Sequence, residues 1–118
     1  MVSVSLAVTA DGLLSELKVC GHAGWGEWGV DPICSAISFM LRTYGRLAET
    51  EKGLNIIFRA ERPGDFFLAI TSVSSDAAER WRGVGSMVLR GMYDLSREFP
   101  ENINLEITEG FLEVCYGS

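Results

Sequence analysis

The chain has 118 residues and a net charge of -6, from 10 Lys and Arg against 16 Asp and Glu. This length predicts a single domain over residues 1–118. Because 47% of the residues are hydrophobic and 10% aromatic, the composition excludes a disordered chain. The negative charge disfavours direct binding to nucleic acid. No apolar run approaches the roughly 18 residues of a membrane span, so we expect no membrane partner.

The cysteines and the start of the chain indicate the cellular compartment in which the protein resides. The chain has three cysteines, which cannot all pair with one another. No early segment combines a basic stretch, an apolar stretch and a small-residue cleavage site. Both observations predict a cytoplasmic protein whose thiols are reduced.

Alternating hydrophobicity predicts a β-hairpin at the start of the chain. Val2 begins an apolar and polar alternation that continues to residue 9, and a second alternation covers residues 13–20. The sequence Ala10-Asp11-Gly12 between them is typical of a turn. Residues 21–31 contain four glycines and two tryptophans, a composition that favours a loop.

The Asp31-Pro32 pair predicts the start of a helix. Asp is a preferred N-cap residue, and Pro fits the first helical position. Apolar residues then follow at spacings of three and four, which predicts one buried face before the helix ends near Gly53. These residues are Ile33, Ile37, Met40, Leu41, Tyr44, Leu47 and Ala48.

The second half of the chain predicts the same kinds of element. Residues 54–60 and 65–71 form a second hairpin around a Pro-Gly turn. Ser75 or Asp76 begins a second helix that ends before Pro100. Its glycines at 83, 85 and 91 weaken a helix but allow close contact with the first helix or with another subunit. Strands at residues 103–107 and 111–116 complete an α+β two-layer sandwich, with a mainly antiparallel sheet, two long helices and the order ββαββαββ.

Cysteine chemistry that uses an imidazole base would depend on His22, because it is the only histidine in the chain. Cys34 is the best partner among the three thiols. It falls at the third position of the predicted helix, where backbone N–H groups and the helix dipole favour a thiolate. Cys20 and Cys115 lie in predicted strands. Backbone N–H groups of residues 33–35 are candidate donors to an oxyanion.

Structural alternatives exist for each of these residues. Cys34 could be a small buried residue and His22 a solvated one. The three cysteines and His22 could instead form a Cys₃His zinc site, although their spacing departs from the usual frameworks.

Residues around the thiol and in the glycine-rich loop also have two interpretations. Asp31 most simply caps the helix, and it could also orient His22 or steer a substrate amide. Trp25 and Trp28 are equally consistent with core anchors and with residues that close over an apolar substrate side chain.

The segment Gly21-His22-Ala23-Gly24, followed by Gly29, Asp31, Cys34, Ala36 and Ser38, resembles the signature of the ribosomal-processing cysteine proteases, the Prp family. The resemblance extends over most of the chain. It departs from the family pattern at Pro32, which suits the first turn of the helix, at Ser35, and at the two loop tryptophans, which bear on substrate preference and not on the chemistry.

The resemblance implies a cysteine endopeptidase that removes an N-terminal extension from protein twenty-seven of the large ribosomal subunit. It implies a His22–Cys34 dyad, no cofactor and no metal, a homodimer, and a basic ribosomal protein as the partner. The substrate-binding loop would comprise Gly21, Ala23, Gly24, Trp25, Trp28 and Gly29, together with Ser38 on the helix. A noncatalytic ribosome-associated or peptide-binding module is the alternative.

Overall fold

The computed structural model describes residues 1–21, 31–60, 62 and 64–115. Its elements follow the predicted order ββαββαββ, and the sixth strand forms. They are β1 (Val2–Val8), β2 (Leu14–Gly21), α1 (Pro32–Thr50), β3 (Leu54–Arg59), β4 (Phe66–Ser74), α2 (Ser75–Glu98), β5 (Ile103–Glu109) and β6 (Glu113–Cys115). No helix in this described part of the chain is long and apolar enough to cross a membrane.

The strands form one mostly antiparallel sheet with the order β3-β4-β2-β1-β5. Both predicted hairpins are antiparallel pairs, β1 with β2 and β3 with β4, and β2 also pairs antiparallel with β4. Two pairs are parallel, β1 with β5 and β4 with β6. Because β2 pairs with residues 66–69 of β4 and β6 with residues 72–74, β6 extends the line of β2 along the same side of β4.

The two helices cover one face of this sheet, which gives the predicted two-layer α+β fold. In β1 the residues at positions 2, 4 and 6 are buried, whereas those at 3, 5 and 7 are not. In β2, Leu17 and Val19 point into the same core, and Glu16 and Lys18 lie on the open face, as the alternation predicts. The open face therefore carries the polar half of each alternating strand.

Two details of the helices differ from the sequence prediction. Strand β4 continues to Ser74, and this residue caps α2 by accepting a 3.2 Å hydrogen bond from the N–H of Ala77. The predicted caps Ser75 and Asp76 therefore lie one and two residues inside the helix. In α1, Leu47 is 46% exposed, because the buried stripe passes through Tyr44 and Ala48 instead.

The glycines of α2 make two different contacts. A Cβ atom at Gly91 would overlap the side chain of Met40 on α1, so the predicted close approach to the first helix occurs there. A Cβ atom at Gly85 would lie 3.0 Å from the Cβ of Leu14, so this glycine packs on the sheet. Gly83 has no such neighbour within 4 Å.

The helices are joined by a buried aromatic pair. The indole N–H of Trp81 donates a 3.1 Å hydrogen bond to the hydroxyl of Tyr44, and the ring centroids are 5.2 Å apart. Burial raises the pKa of Tyr44 above its usual range, so the hydroxyl stays protonated. This contact fixes α1 against α2 and thereby fixes the orientation of the helix that carries Cys34.

We predict that Tyr44→Phe lowers the free energy of unfolding by about 1–3 kcal/mol, because the Trp81 N–H loses its acceptor in the core. Urea denaturation followed by circular dichroism measures the loss. Tyr93→Phe is the control, since Tyr93 is 42% exposed and its substitution should change stability little. Equal losses in the two variants would contradict this role of the buried hydrogen bond.

Candidate functional site

Helix α1 begins at Asp31, which caps it. The Asp31 side chain is almost fully buried, and its Oδ1 accepts hydrogen bonds from the N–H groups of Ile33 at 2.9 Å and Cys34 at 3.2 Å. Pro32 occupies the start of the helix, where its missing N–H costs nothing. Cys34 therefore lies in the first helical turn, at the position the sequence predicts.

The hydrogen bonds at the start of α1 contradict the prediction that the N–H groups of residues 33–35 donate to an oxyanion. The N–H groups of Ile33 and Cys34 donate to the Asp31 carboxylate, and the N–H of Ser35 donates to the Asp31 carbonyl at 2.9 Å. All three candidate oxyanion donors are thus already used within the helix start. A developing oxyanion must find other donors.

Cys34 lines a cleft of about 370 Å³ at one end of the sheet, which we call the thiol cleft. Here β1 begins, β2 ends and β4 begins, so the first turns of α1 face three strand ends. The cleft is lined by Val2, Val19, Gly21, Cys34, Ser35, Ile37, Ser38, Leu41, Arg42, Ala60, Gly64, Asp65 and Phe66. The Cys34 side chain is half-buried, which leaves it accessible from this space.

The thiol cleft has an apolar lining with a few polar groups. Ser38 and Arg42 follow Cys34 by four and eight residues, so they lie on the same face of α1. The guanidinium Nε of Arg42 donates to the carbonyl of Ser38 at 3.4 Å. Asp65 approaches from the turn that precedes β4. Such a lining suits an extended peptide with apolar side chains.

Gly21 is the last residue of β2 and also lines the thiol cleft. Its φ is +92°, and a Cβ atom there would lie 2.8 Å from the carbonyl oxygen of Met1. Only glycine fits this position without strain. The next residue in the sequence is His22, which lies outside the described residues, as do Ala23, Gly24, Trp25, Trp28 and Gly29.

Cys20 lies on the opposite side of the sheet from Cys34. It lines a second concavity of about 350 Å³, which we call the far cleft. The residues of the far cleft are Lys18, Val19, Cys20, Arg59, Asp65, Phe66 and Phe67. Since Val19, Asp65 and Phe66 line both clefts, the two spaces adjoin at the start of β4.

The strand register argues against a zinc site that uses all three cysteines. Cys20 follows Val19, which pairs with Phe66 at the start of β4, whereas Cys115 pairs with Ser74 at its end. Eight residues of strand separate these positions by about 26 Å, and sulfurs that share a zinc ion lie within about 4 Å of each other. Within the described residues, no group of three His, Cys, Asp or Glu side chains could hold a metal.

Sequence reasoning missed most of the wall opposite α1. Asp65 and Phe66 belong to a turn and a strand that the sequence indicated only as a hairpin. Arg42 could have been found, because positions 34, 38 and 42 form a single row on a helix. The strand residues could not, since their proximity to Cys34 depends on how the sheet pairs.

The comparison with known protein families decides which class of protein this is. The sequence model of the family described as cysteine protease Prp matches residues 1–104 of this chain. The chain belongs to the cysteine protease Prp family. No curated protein matches it, so the assignment of a Prp protease depends on the family model and is supported by the fold.

Solved structures of low sequence identity share this fold. The essential ribosomal processing protease Prp from S. aureus, in complex with a covalently linked product peptide, superposes with a TM-score of 0.77 at 20% identity, covering 92% of this chain and 100% of that one. The same protease with a substrate peptide gives 0.71 at 19% identity, with the same coverage. SMU.848 from Streptococcus mutans gives 0.72 at 22% identity, covering 93% and 96%.

We predict that Asp31→Ala lowers the free energy of unfolding by about 0.5–2 kcal/mol, because two backbone N–H groups lose their acceptor. Asp31→Asn should keep most of the stability, since an amide oxygen can also cap a helix. Urea denaturation of both variants measures the difference. If Asp31→Asn were as unstable as Asp31→Ala, capping would not be what Asp31 contributes to the fold.

We predict that Gly21→Ala destabilises the protein by about 1–3 kcal/mol, because it forces a left-handed residue with a Cβ against the Met1 backbone. Gly12→Ala is the matched control. Gly12 also has a positive φ, of +90°, but a Cβ atom there would have no neighbour within 4 Å. Thermal unfolding of both variants should show the larger loss for Gly21→Ala, and equal losses would contradict the contact with Met1.

Proposed function

We propose that this Prp-family protein is a cysteine endopeptidase in which Cys34 is the nucleophile and His22 the general base. The observation that carries the proposal is the position of Cys34 in the first turn of α1, at the wall of the thiol cleft. The helix dipole favours a thiolate there. A thiol on an accessible cleft wall can reach a bound peptide bond, which a thiol within the core cannot.

In this mechanism His22 takes the proton of the Cys34 thiol, and the sulfur attacks the scissile carbonyl carbon. His22 then returns the proton to the leaving amine as the C–N bond breaks, which leaves an acyl-enzyme on Cys34. Water hydrolyses the thioester and regenerates the thiol. Because the N–H groups of residues 33–35 already have acceptors, the side chains of Ser35, Ser38 and Arg42 are candidate oxyanion donors from the described lining.

The proposed substrate is the N-terminal extension of protein twenty-seven of the large ribosomal subunit. The S. aureus relatives are named as ribosomal processing proteases and were solved with peptides. A chain with a net charge of -6 attracts a basic ribosomal protein at long range. We further propose a cytoplasmic homodimer that uses no cofactor. Its substrate-binding loop comprises Gly21, Ala23, Gly24, Trp25, Trp28 and Gly29, together with Ser38.

We predict that Cys34→Ala and His22→Ala abolish cleavage, with losses in kcat/KM of about 10³-fold or more. Cys20→Ser should retain activity, because the Cys20 thiol lies on the other side of the sheet from the thiol cleft and serine keeps the size of the side chain. Cys115→Ser should also retain it, since Ser74, the partner of Cys115, lies at the far end of β4. The measurement is mass spectrometry of the full-length ribosomal protein after incubation with each reduced variant.

Loss of one defined N-terminal fragment with the wild type, and not with Cys34→Ala, is the expected result. If the wild type bound the substrate and left its mass intact, the protein would be a noncatalytic peptide-binding module instead. If Cys20→Ser were as inactive as Cys34→Ala and lost bound zinc, the dyad would be wrong.

A further inference from the structure

The far cleft carries an arrangement of charges that the proposed cleavage reaction does not use. Lys18 on β2 and Arg59 on β3 both pair in register with Phe67 on the intervening strand β4. Residues paired in this way share one face of a sheet, so the three side chains form a row across three strands. Two strand spacings separate Lys18 from Arg59 by roughly 10 Å between Cα atoms.

Both cations in this row lack a partner within the described part of the chain. The ion pairs there join Arg80 to Glu51, Arg82 to Asp11 and Glu79, and Arg90 to Asp94. Lys18 and Arg59 are exposed, so their long side chains can converge over the half-buried ring of Phe67. An ammonium and a guanidinium that converge on one point provide donors for a single carboxylate.

The neighbouring residues favour one carboxylate over a polyanion. Glu16 lies two residues before Lys18 on the same strand, and Asp65 lies two residues before Phe67. Each places a negative charge on one side of the row, which repels a run of phosphates. The chain as a whole has a net charge of -6, which opposes nucleic acid further.

The far cleft adjoins the thiol cleft at three shared residues, Val19, Asp65 and Phe66. A peptide bound beside Cys34 can therefore continue over the start of β4 onto the open face of the sheet. We propose that the far cleft is a second binding site for the same substrate chain, and that Lys18 and Arg59 hold an acidic side chain of that chain over Phe67. This inference rests on the proposed endopeptidase function, because it requires a peptide in the thiol cleft.

A binding experiment tests the site without catalysis. The probes are N-acetylglutamic acid α-amide and its glutamine counterpart, titrated into the labelled protein while amide resonances are recorded by NMR. We expect the glutamate probe to shift the amides of Lys18, Arg59 and Phe67, and the glutamine probe to leave them unchanged. Lys18→Gln and Arg59→Gln should each remove the effect, whereas the control Lys52→Gln, which takes one charge from the turn between α1 and β3, should not.

A cleavage experiment identifies the position of the substrate whose side chain binds in the far cleft. The peptides span the cleaved bond, which mass spectrometry locates. Each peptide carries either Glu or Gln at one position, and the position is changed from peptide to peptide. We expect one position at which Glu raises kcat/KM by up to about fivefold over Gln, the effect of one exposed ion pair. This preference should vanish in Lys18→Gln and persist in the control Lys52→Gln.

The outcomes separate the two proposals. If the wild type cleaves no peptide but the glutamate probe binds as expected, the endopeptidase proposal fails, and Lys18 and Arg59 stand as a carboxylate-binding site but not as a second site for a cleaved substrate. If the Glu and Gln peptides are cleaved with equal efficiency at every varied position, and neither probe shifts the amide resonances of Lys18, Arg59 and Phe67, the proposed site is wrong. If a single-stranded oligouridylate shifts these amides and the glutamate probe does not, the surface binds nucleic acid and the inference is overturned.

Discussion

The position of the thiol depends on a single capping interaction. A helix can begin only where its first N–H groups find acceptors, and in this chain the buried carboxylate of Asp31 accepts from two of them. One of these belongs to Cys34 itself. The carboxylate thus sets the residue at which α1 starts, and so which residues of its first turn face the strand ends.

The sheet topology brings the rest of the site to the same place. Strand β2 lies between β1 and β4, and the antiparallel pairing puts the end of β2 beside the start of both neighbours. Gly21, Val2 and Phe66 therefore meet under the first turns of α1. Because side chains alternate along β4, the residues that follow Asp65 face both sides of the sheet. The short segment at the start of β4 thereby lines both the thiol cleft and the far cleft.

Local sequence signals were enough to predict the order of elements and the start of α1. Alternation over residues 2–8 and the Asp31-Pro32 pair are both local, and each gave the observed element. The prediction of the oxyanion donors is wrong because the N–H groups of Ile33 and Cys34 donate to the capping carboxylate of Asp31 and the N–H of Ser35 donates to the Asp31 carbonyl. The row of Lys18, Phe67 and Arg59 joins three strands that are distant in sequence, so only the register could show it.

The parallel pairing of β1 with β5 has a consequence for when this protein becomes functional. Val2, a wall residue of the thiol cleft, pairs with Ile103, and its N–H donates to the carbonyl of Asn102 at 2.9 Å. The first strand is thus held in part by a strand that is synthesised much later. Contacts so distant in sequence form late and slow folding. A nascent chain still attached to its own ribosome would therefore lack the complete cleft until β5 has emerged and paired with β1.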